Sequence, residues 1–236
     1  MDIANFNQFV RDIYRTDKFI PLHEPRFLGN EKKYVNETID STFVSSVGAF
    51  VSDFEEKIQK FTGTTKAIAI VNGTAALHTA LLMAGVKHDD IVITQALTFV
   101  ATCNALSYIG AEPLFLDVSL KTLGLSPKAM DTYLQEHAFI NDQGVCIHKS
   151  SNKRISAVVP MHTFGHPVEL DDLVKVAKKW NIVLVEDAAE SLGSYYKGQH
   201  TGTFGLISAL SFNGNKIITT GGGGMVLCQD EELGVK

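Results

Sequence analysis

Apolar residues along the middle of the chain recur with two alternating spacings. Three short runs, at residues 67–71, 91–94 and 182–185, are almost wholly apolar, which is typical of strands buried on both faces of a sheet. Residues 75–84 and 98–109 instead repeat their apolar positions at helical spacing. The alternation predicts an α/β fold with a mostly parallel sheet and helices on both of its faces.

Patterns outside this repeat predict further elements. Residues 3–14 have the amphipathic spacing of a helix, and runs at 206–212 and 225–228 predict two more strands. The piece at residues 139–155 is polar around its middle and breaks the alternation, so we expect an exposed hairpin there. The length of 236 residues fits one large domain or two small ones.

Composition narrows the class of protein. The net charge is −5 and no basic face is evident, so we expect no nucleic-acid partner. We also expect no membrane span, because no apolar run approaches ~20 residues, and no secretory signal, because the first residues lack its basic and apolar regions. The thiols of Cys103, Cys146 and Cys228 are far apart and cluster with no histidine. They predict reduced cysteines in a cytoplasmic protein and no metal site.

One lysine, Lys216, lies in a polar turn between the last two predicted strands. Residues 213–215 precede it and four glycines at 221–224 follow it, so the main chain there can bend tightly around a ligand. A lysine that faces a cavity can lose its proton through desolvation and act as a nucleophile. The turn alone also fits a surface lysine in a flexible loop.

The ends of the predicted strands carry other candidates, because ligands of open parallel sheets bind beyond the carboxyl ends of the strands. A glycine turn at residues 72–76 enters a helix, whose free N–H groups and dipole favour a phosphate or carboxylate. An ordinary strand-to-helix turn would look the same. Phe99 follows the next strand, and it could either stack on a planar ligand or belong to the core.

Two adjacent acids, Glu186 and Asp187, end a predicted buried strand. Neighbouring side chains of a strand point to opposite faces, so one carboxylate can enter the cleft if it meets a cation there; helix capping is the alternative. With Ser211 and Lys216, the strand ends supply the groups that an aldehyde cofactor with a phosphate arm and a pyridine nitrogen requires.

Four segments in the same order resemble the DegT/DnrJ/EryC1/StrS family, the fold type I nucleotide-sugar aminotransferases that depend on pyridoxal phosphate. These segments are residues 72–77, 98–102, 186–193 and 211–216. Residues 19–25 and 160–167 are most similar to the LegC-like branch of the family, which aminates 4-keto-6-deoxy sugars on UDP or GDP.

The resemblance implies a role for each matched residue. Lys216 would attach to the aldehyde of pyridoxal phosphate and later move protons, and Asp187 would pair with the pyridine nitrogen. Phe99 would stack on the cofactor ring. The phosphate would be held by Gly73, Thr74, Ala75 and Ser211.

Three further positions are assigned by the same resemblance. Glu190 occupies the place that contacts the ring hydroxyl, where relatives commonly carry Gln or His, and Gly222 replaces a glutamate that is frequent in the family motif. His162 would line the sugar side of the cleft, although a buried histidine with satisfied hydrogen bonds fits its pattern equally well.

The implied architecture is an N-terminal helix in residues 1–18 and a cofactor-binding large domain over residues 19–236, without the family's small C-terminal domain. The implied reaction moves an amino group from glutamate to a 4-keto-6-deoxy nucleotide sugar, in a cytoplasmic homodimer that supplies polysaccharide or glycan precursors. Lysine at position 216 favours transamination, because related sugar dehydratases carry histidine there. A weakly active protein that holds cofactor or nucleotide sugar, and a sugar dehydratase, remain alternatives.

Overall fold

The computed structural model of the protein describes residues 2–236. In chain order its strands are β1 (Lys66–Ile70), β2 (Ile91–Gln95), β3 (Glu112–Leu116), β4 (Ala138–Ile140), β5 (Cys146–His148), β6 (Ile155–Val159), β7 (Val183–Asp187), β8 (Tyr195–Tyr196), β9 (Gln199–His200), β10 (Ile207–Ser211) and β11 (Gly224–Cys228). The helices are α1 (Ile3–Tyr14), α2 (Glu31–Ser41), α3 (Ala49–Thr62), α4 (Gly73–Met83), α5 (Val100–Ile109), α6 (Pro127–His137), α7 (Leu170–Lys179) and α8 (Glu231–Val235). A single 3₁₀ turn covers Thr163–Gly165.

Seven strands form one sheet in the order β1-β11-β10-β7-β6-β2-β3. β11 runs antiparallel to both of its neighbours, whereas the pairs from β10 to β3 are all parallel. The mostly parallel sheet predicted from the short apolar runs is therefore confirmed. The predicted hairpin is also present, as the antiparallel pair of β4 and β5.

The core lies on both faces of this sheet. Ile93 and Val158 pack in one apolar cluster with α6 and α7, while their neighbours Val92 and Val159 pack in another with α4 and α5. Adjacent residues of a strand point to opposite faces, and each face is covered by helices. The prediction of helices on both faces is confirmed, and it explains why the strand sequences are apolar at nearly every position.

Small differences between predicted and observed boundaries matter for the site. The helix predicted from residue 75 begins at Gly73, because the side chain of Asn72 caps it by accepting the N–H of Ala75 at 2.8 Å. The helix predicted from residue 98 begins at Val100, after an extended Phe99. The strand predicted to end at residue 185 continues to Asp187, so both acids belong to it.

The N-terminal part of the chain packs loosely. The amphipathic helix predicted at residues 3–14 is present as α1, yet neither α1 nor α2 contains a buried residue. Apolar side chains of α1 such as Phe6, Phe9 and Ile13 are exposed. Over residues 2–236, no helix combines the length and the apolar character that a membrane crossing requires.

Candidate active site

A cavity of about 470 Å³ opens at the carboxyl ends of the parallel strands. Its walls come from the first turn of α4, the segment before α5, the ends of β7 and β10, and the turn after β10. Seven residues singled out from the sequence line it: Gly73, Thr74, Phe99, Asp187, Glu190, Ser211 and Lys216. The fold thus gathers residues that are far apart in the chain.

The amine of Lys216 lies inside this cavity. Its Nζ donates to Oε1 of Glu190 at 2.8 Å and stands 5.7 Å from the centre of the Phe99 ring. A carboxylate and an aromatic face both attract an ammonium group, so they hold the amine in place. The side chain is only 13% exposed, which distinguishes Lys216 from a surface lysine of a loop.

The carboxylate of Asp187 forms part of the same wall and is 5% exposed. Its Oδ2 accepts the hydroxyl of Thr102 at 2.6 Å, and its Oδ1 accepts the N–H of Ala189 at 3.2 Å. Burial raises the pKa of the Asp187 carboxyl above its ordinary value, while these two donors and the nearby Lys216 oppose that shift. A cation in the cavity would favour the ionised form further.

The neighbouring acid, Glu186, points to the opposite side of the strand and is fully buried. One of its oxygens accepts from His162 Nε2 and the Gly202 N–H, and the other accepts from the N–H groups of Phe204 and Gly205, all between 2.7 and 3.0 Å. Burial would raise the pKa of this carboxyl, but these donors hold it below its ordinary value. Glu186 therefore anchors the loop before β10.

His162 is not among the residues that line the cavity. The residue is 1% exposed, its Nε2 contacts Glu186, and its Nδ1 accepts the N–H of Val168 at 3.3 Å. An Nδ1 that accepts leaves Nε2 as the ring nitrogen that donates to Glu186. The alternative of a buried histidine with satisfied hydrogen bonds describes the structure.

The first turn of α4 brings backbone N–H groups to the cavity. The N–H of Ala75 donates to the side chain of Asn72 at 2.8 Å. Across residues 2–236, the N–H groups of Gly73 and Thr74 find no acceptor, as expected for the start of a helix. A Cβ on Gly73 would lie 2.7 Å from Cβ of Ser211, so only glycine lets the two elements approach this closely.

These groups fit pyridoxal phosphate. Two free N–H groups, the hydroxyls of Thr74 and Ser211 and the dipole of α4 suit a phosphate. A planar ring can lie against Phe99, a buried carboxylate suits its nitrogen, and an amine is present for its aldehyde. The volume lies within the usual range for small-molecule sites.

Two residues of the site received no role from the sequence. Thr102 contacts Asp187, and Met161 lines the cavity with its sulfur 3.4 Å from the N–H of Phe99. Thr102 stands four positions after Thr98, a spacing that brings side chains to one side of a helix. This spacing could have identified Thr102 as a neighbour of Thr98, but the sequence does not reveal that Thr102 contacts Asp187.

Fold and site together define an α/β domain of the kind found in pyridoxal-phosphate-dependent aminotransferases. The chain belongs to the DegT/DnrJ/EryC1/StrS aminotransferase family, which it matches over residues 27–236. The resemblance of the four sequence segments to this family is confirmed.

Several relatives are similar over most of this chain. A GDP-perosamine synthase of Escherichia coli O157:H7 is 41% identical over 216 residues, covering 92% of this chain and 55% of that protein. A GDP-perosamine synthase of Caulobacter vibrioides is 37% identical, covering 92% and 54%. The solved aminotransferase from Psychrobacter cryohalolentis superposes with a TM-score of 0.79 at 32% identity, covering 92% and 51%. The chain therefore spans about half the length of these relatives.

Proposed function

We propose that the chain is the cofactor-binding domain of a nucleotide-sugar aminotransferase that transfers an amino group from glutamate to a 4-keto-6-deoxy sugar. The observation that carries this proposal is the single cavity shared by Lys216, Asp187 and the free N–H groups at the start of α4. The names of the two GDP-perosamine synthases support a nucleotide-sugar substrate and favour GDP as the nucleotide.

Pyridoxal phosphate, when bound, supplies an electron sink that makes a neighbouring C–H bond acidic. Asp187, ionised, would hold a proton on the pyridine nitrogen and so strengthen that sink. Nζ of Lys216 would then take the proton from one carbon and return it to another. The N–H groups of Gly73 and Thr74 would hold the phosphate, which keeps the reacting carbon within reach of this amine.

The carboxylate of Glu190 gives Lys216 a second partner in this scheme. Because Oε1 of Glu190 lies 2.8 Å from Nζ, it can stabilise the protonated amine while the lysine carries a proton. The position of Glu190 therefore supports a contact with the proton that Lys216 carries, in addition to the contact with the ring hydroxyl.

We further propose that the active protein is a cytoplasmic homodimer in polysaccharide or glycan precursor synthesis. The exposed apolar side chains of α1 support an assembly that covers them.

The first experiment measures cofactor capture. The purified chain, mixed with pyridoxal phosphate, should develop an absorption band at roughly 420 nm, the region expected when this cofactor is attached to a lysine. Lys216→Ala should abolish the band, whereas Lys175→Ala, which removes an exposed lysine on α7, should leave it intact. If the band survives in Lys216→Ala, Lys216 is not the residue that attaches to the cofactor.

A second stage separates the alternatives. Glutamate should bleach the band and a 4-keto-6-deoxy sugar nucleotide should restore it, with an amino sugar as product. A band that glutamate leaves unchanged would indicate a protein that holds cofactor without turnover. A product that has lost a hydroxyl and gained no amine would indicate a dehydratase.

A further inference from the structure

A chain of two hydroxyl groups runs from Thr98, which lines the cavity, through the buried Thr102 to Asp187. The hydroxyl oxygens of Thr98 and Thr102 are 3.2 Å apart, and that of Thr102 is 2.6 Å from Oδ2 of Asp187. Thr102 is 0% exposed, so water does not reach this contact. Neither threonine received a role in the proposed chemistry.

The direction of the hydrogen bonds in this chain is fixed by chemistry. An ionised carboxylate only accepts, so the single hydroxyl proton of Thr102 must point at Asp187. The oxygen of Thr102 then has lone pairs left to accept the proton of Thr98. The competing acceptor for Thr98 is Sδ of Met161 at 3.6 Å, and a thioether accepts weakly.

The backbone holds Thr102 in position for this contact. Thr102 lies in the first turn of α5, and its N–H donates to the carbonyl of Phe99 at 3.2 Å. The residue therefore joins the aromatic wall of the cavity to the carboxylate.

Other charged groups face Asp187 less directly. Lys216 approaches from the turn after β10, but its amine is paired with Glu190. His162 approaches from the segment after β6, and its two ring nitrogens already contact Glu186 and the N–H of Val168. Among residues 2–236, Thr102 contributes the one side-chain hydrogen bond to this carboxylate; the other bond comes from the N–H of Ala189.

We propose that Thr102 is a positioning residue that keeps Asp187 ionised and its carboxylate oriented toward a protonated ring nitrogen in the cavity. This inference rests on the proposed function for the identity of the ring. Burial alone opposes the charge of Asp187 and raises its pKa, and the Thr102 hydroxyl works against that effect. Removing the hydroxyl without changing the shape should therefore let Asp187 take up a proton at a higher pH.

The decisive comparison is between Thr102→Val and Thr102→Ser in the cofactor-free chain. Valine keeps the shape and loses the hydroxyl, whereas serine keeps the hydroxyl. An acid whose pKa is raised by folding loses stability as the pH rises from about 3.9, its unfolded value, through its folded value. The free energy of unfolding in urea should therefore fall further with pH in Thr102→Val, so that its difference from Thr102→Ser widens as the pH rises above about 4.

The control is to make Thr102→Val and Thr102→Ser in an Asp187→Asn background. There the difference in free energy of unfolding between the two variants should not change with pH. A purely structural role for Thr102 would give a constant difference in both backgrounds and would overturn the proposal. If Thr102→Val does not fold, recovery of the fold by Asp187→Asn supports the proposal, and no recovery overturns it.

Cofactor binding gives a second measurement. Thr102→Val should bind pyridoxal phosphate about tenfold more weakly at pH 8, the order expected for a lost hydrogen bond to a charged group, with Thr102→Ser close to the parent chain. If the parent chain binds and both variants bind equally, the inference fails. If the parent chain does not bind, the proposed function fails, while the titration of Asp187 still decides the role of Thr102.

Discussion

Burial and hydrogen bonding act in opposite directions on the carboxylate at position 187. Burial disfavours its charge, while Thr102, the N–H of Ala189 and the amine of Lys216 favour it. The adjacent Glu186 is buried more completely, yet its four donors secure its charge. The ionised form of Asp187 is therefore stabilised by fewer donors than that of Glu186, and a bound cation would stabilise it further.

The exchange Asp187→Asn should separate binding from chemistry. The cofactor should still bind through Lys216 and the start of α4. The replacement of the glutamate α-hydrogen by deuterium should slow by roughly 10²-fold or more, because the ring nitrogen no longer faces a carboxylate that keeps it protonated. Proton NMR measures this rate without a sugar substrate. Asp172→Asn on the exposed side of α7 is the matched control, and a near-normal rate in Asp187→Asn would contradict the proposed role.

At the scale of elements, the turn after β6 shows how the cavity wall is held. Phe164 there adopts a left-handed backbone, and Gly165 follows with a φ of 80°. A Cβ on Gly165 would lie 2.3 Å from the carbonyl oxygen of Glu190. The turn therefore packs directly against the backbone of a cavity residue, and only glycine permits it.

Two glycine substitutions separate backbone strain from this close contact. Gly198→Ala has a similar φ of 86° and no atom within 4 Å of its new Cβ, so we expect it to lower the free energy of unfolding by about 1 kcal/mol. Gly165→Ala carries the same strain and the clash, so a loss of about 2–4 kcal/mol is expected. Urea unfolding measures both values, and equal losses would show that the contact with Glu190 does not matter.

Elements that depend on local patterns could be predicted from the sequence, and those that depend on distant partners could not. The apolar runs at β2 and β7 identify buried strands by themselves. The place of β11 between β1 and β10 depends on pairs such as Ala67 with Leu227, which no local pattern encodes. The site divides in the same way: the motifs identified Lys216, whereas the role of Thr102 depends on a carboxylate 85 residues later.

The whole molecule exposes apolar side chains along its N-terminal helix. Phe9 of α1 is 60% exposed and no residue of that helix is buried. An apolar face of this kind favours association with a surface that covers it. The proposed homodimer would supply such a surface.

Self-association of the chain should therefore depend on this helix. Sedimentation velocity over a range of concentrations should show association of the parent chain, and Phe9→Glu should weaken it by placing a charge on the apolar face. Asn7→Glu introduces the same charge at a neighbouring exposed position and should have little effect. A parent chain that stays monomeric, or equal effects of both variants, would contradict the role of α1.

The antiparallel strand β11 also bears on when the cofactor can be captured during synthesis. Its first residue, Gly224, packs so closely on Asn72 that a Cβ would lie 2.4 Å from the Asn72 carbonyl oxygen, and the strand then joins β1 to β10. A nascent chain that has not yet released Cys228 from the ribosome lacks this connection between the α4 turn and the Lys216 turn. Binding of the proposed cofactor would therefore follow translation of this strand, because long-range pairings form only after both partners have emerged.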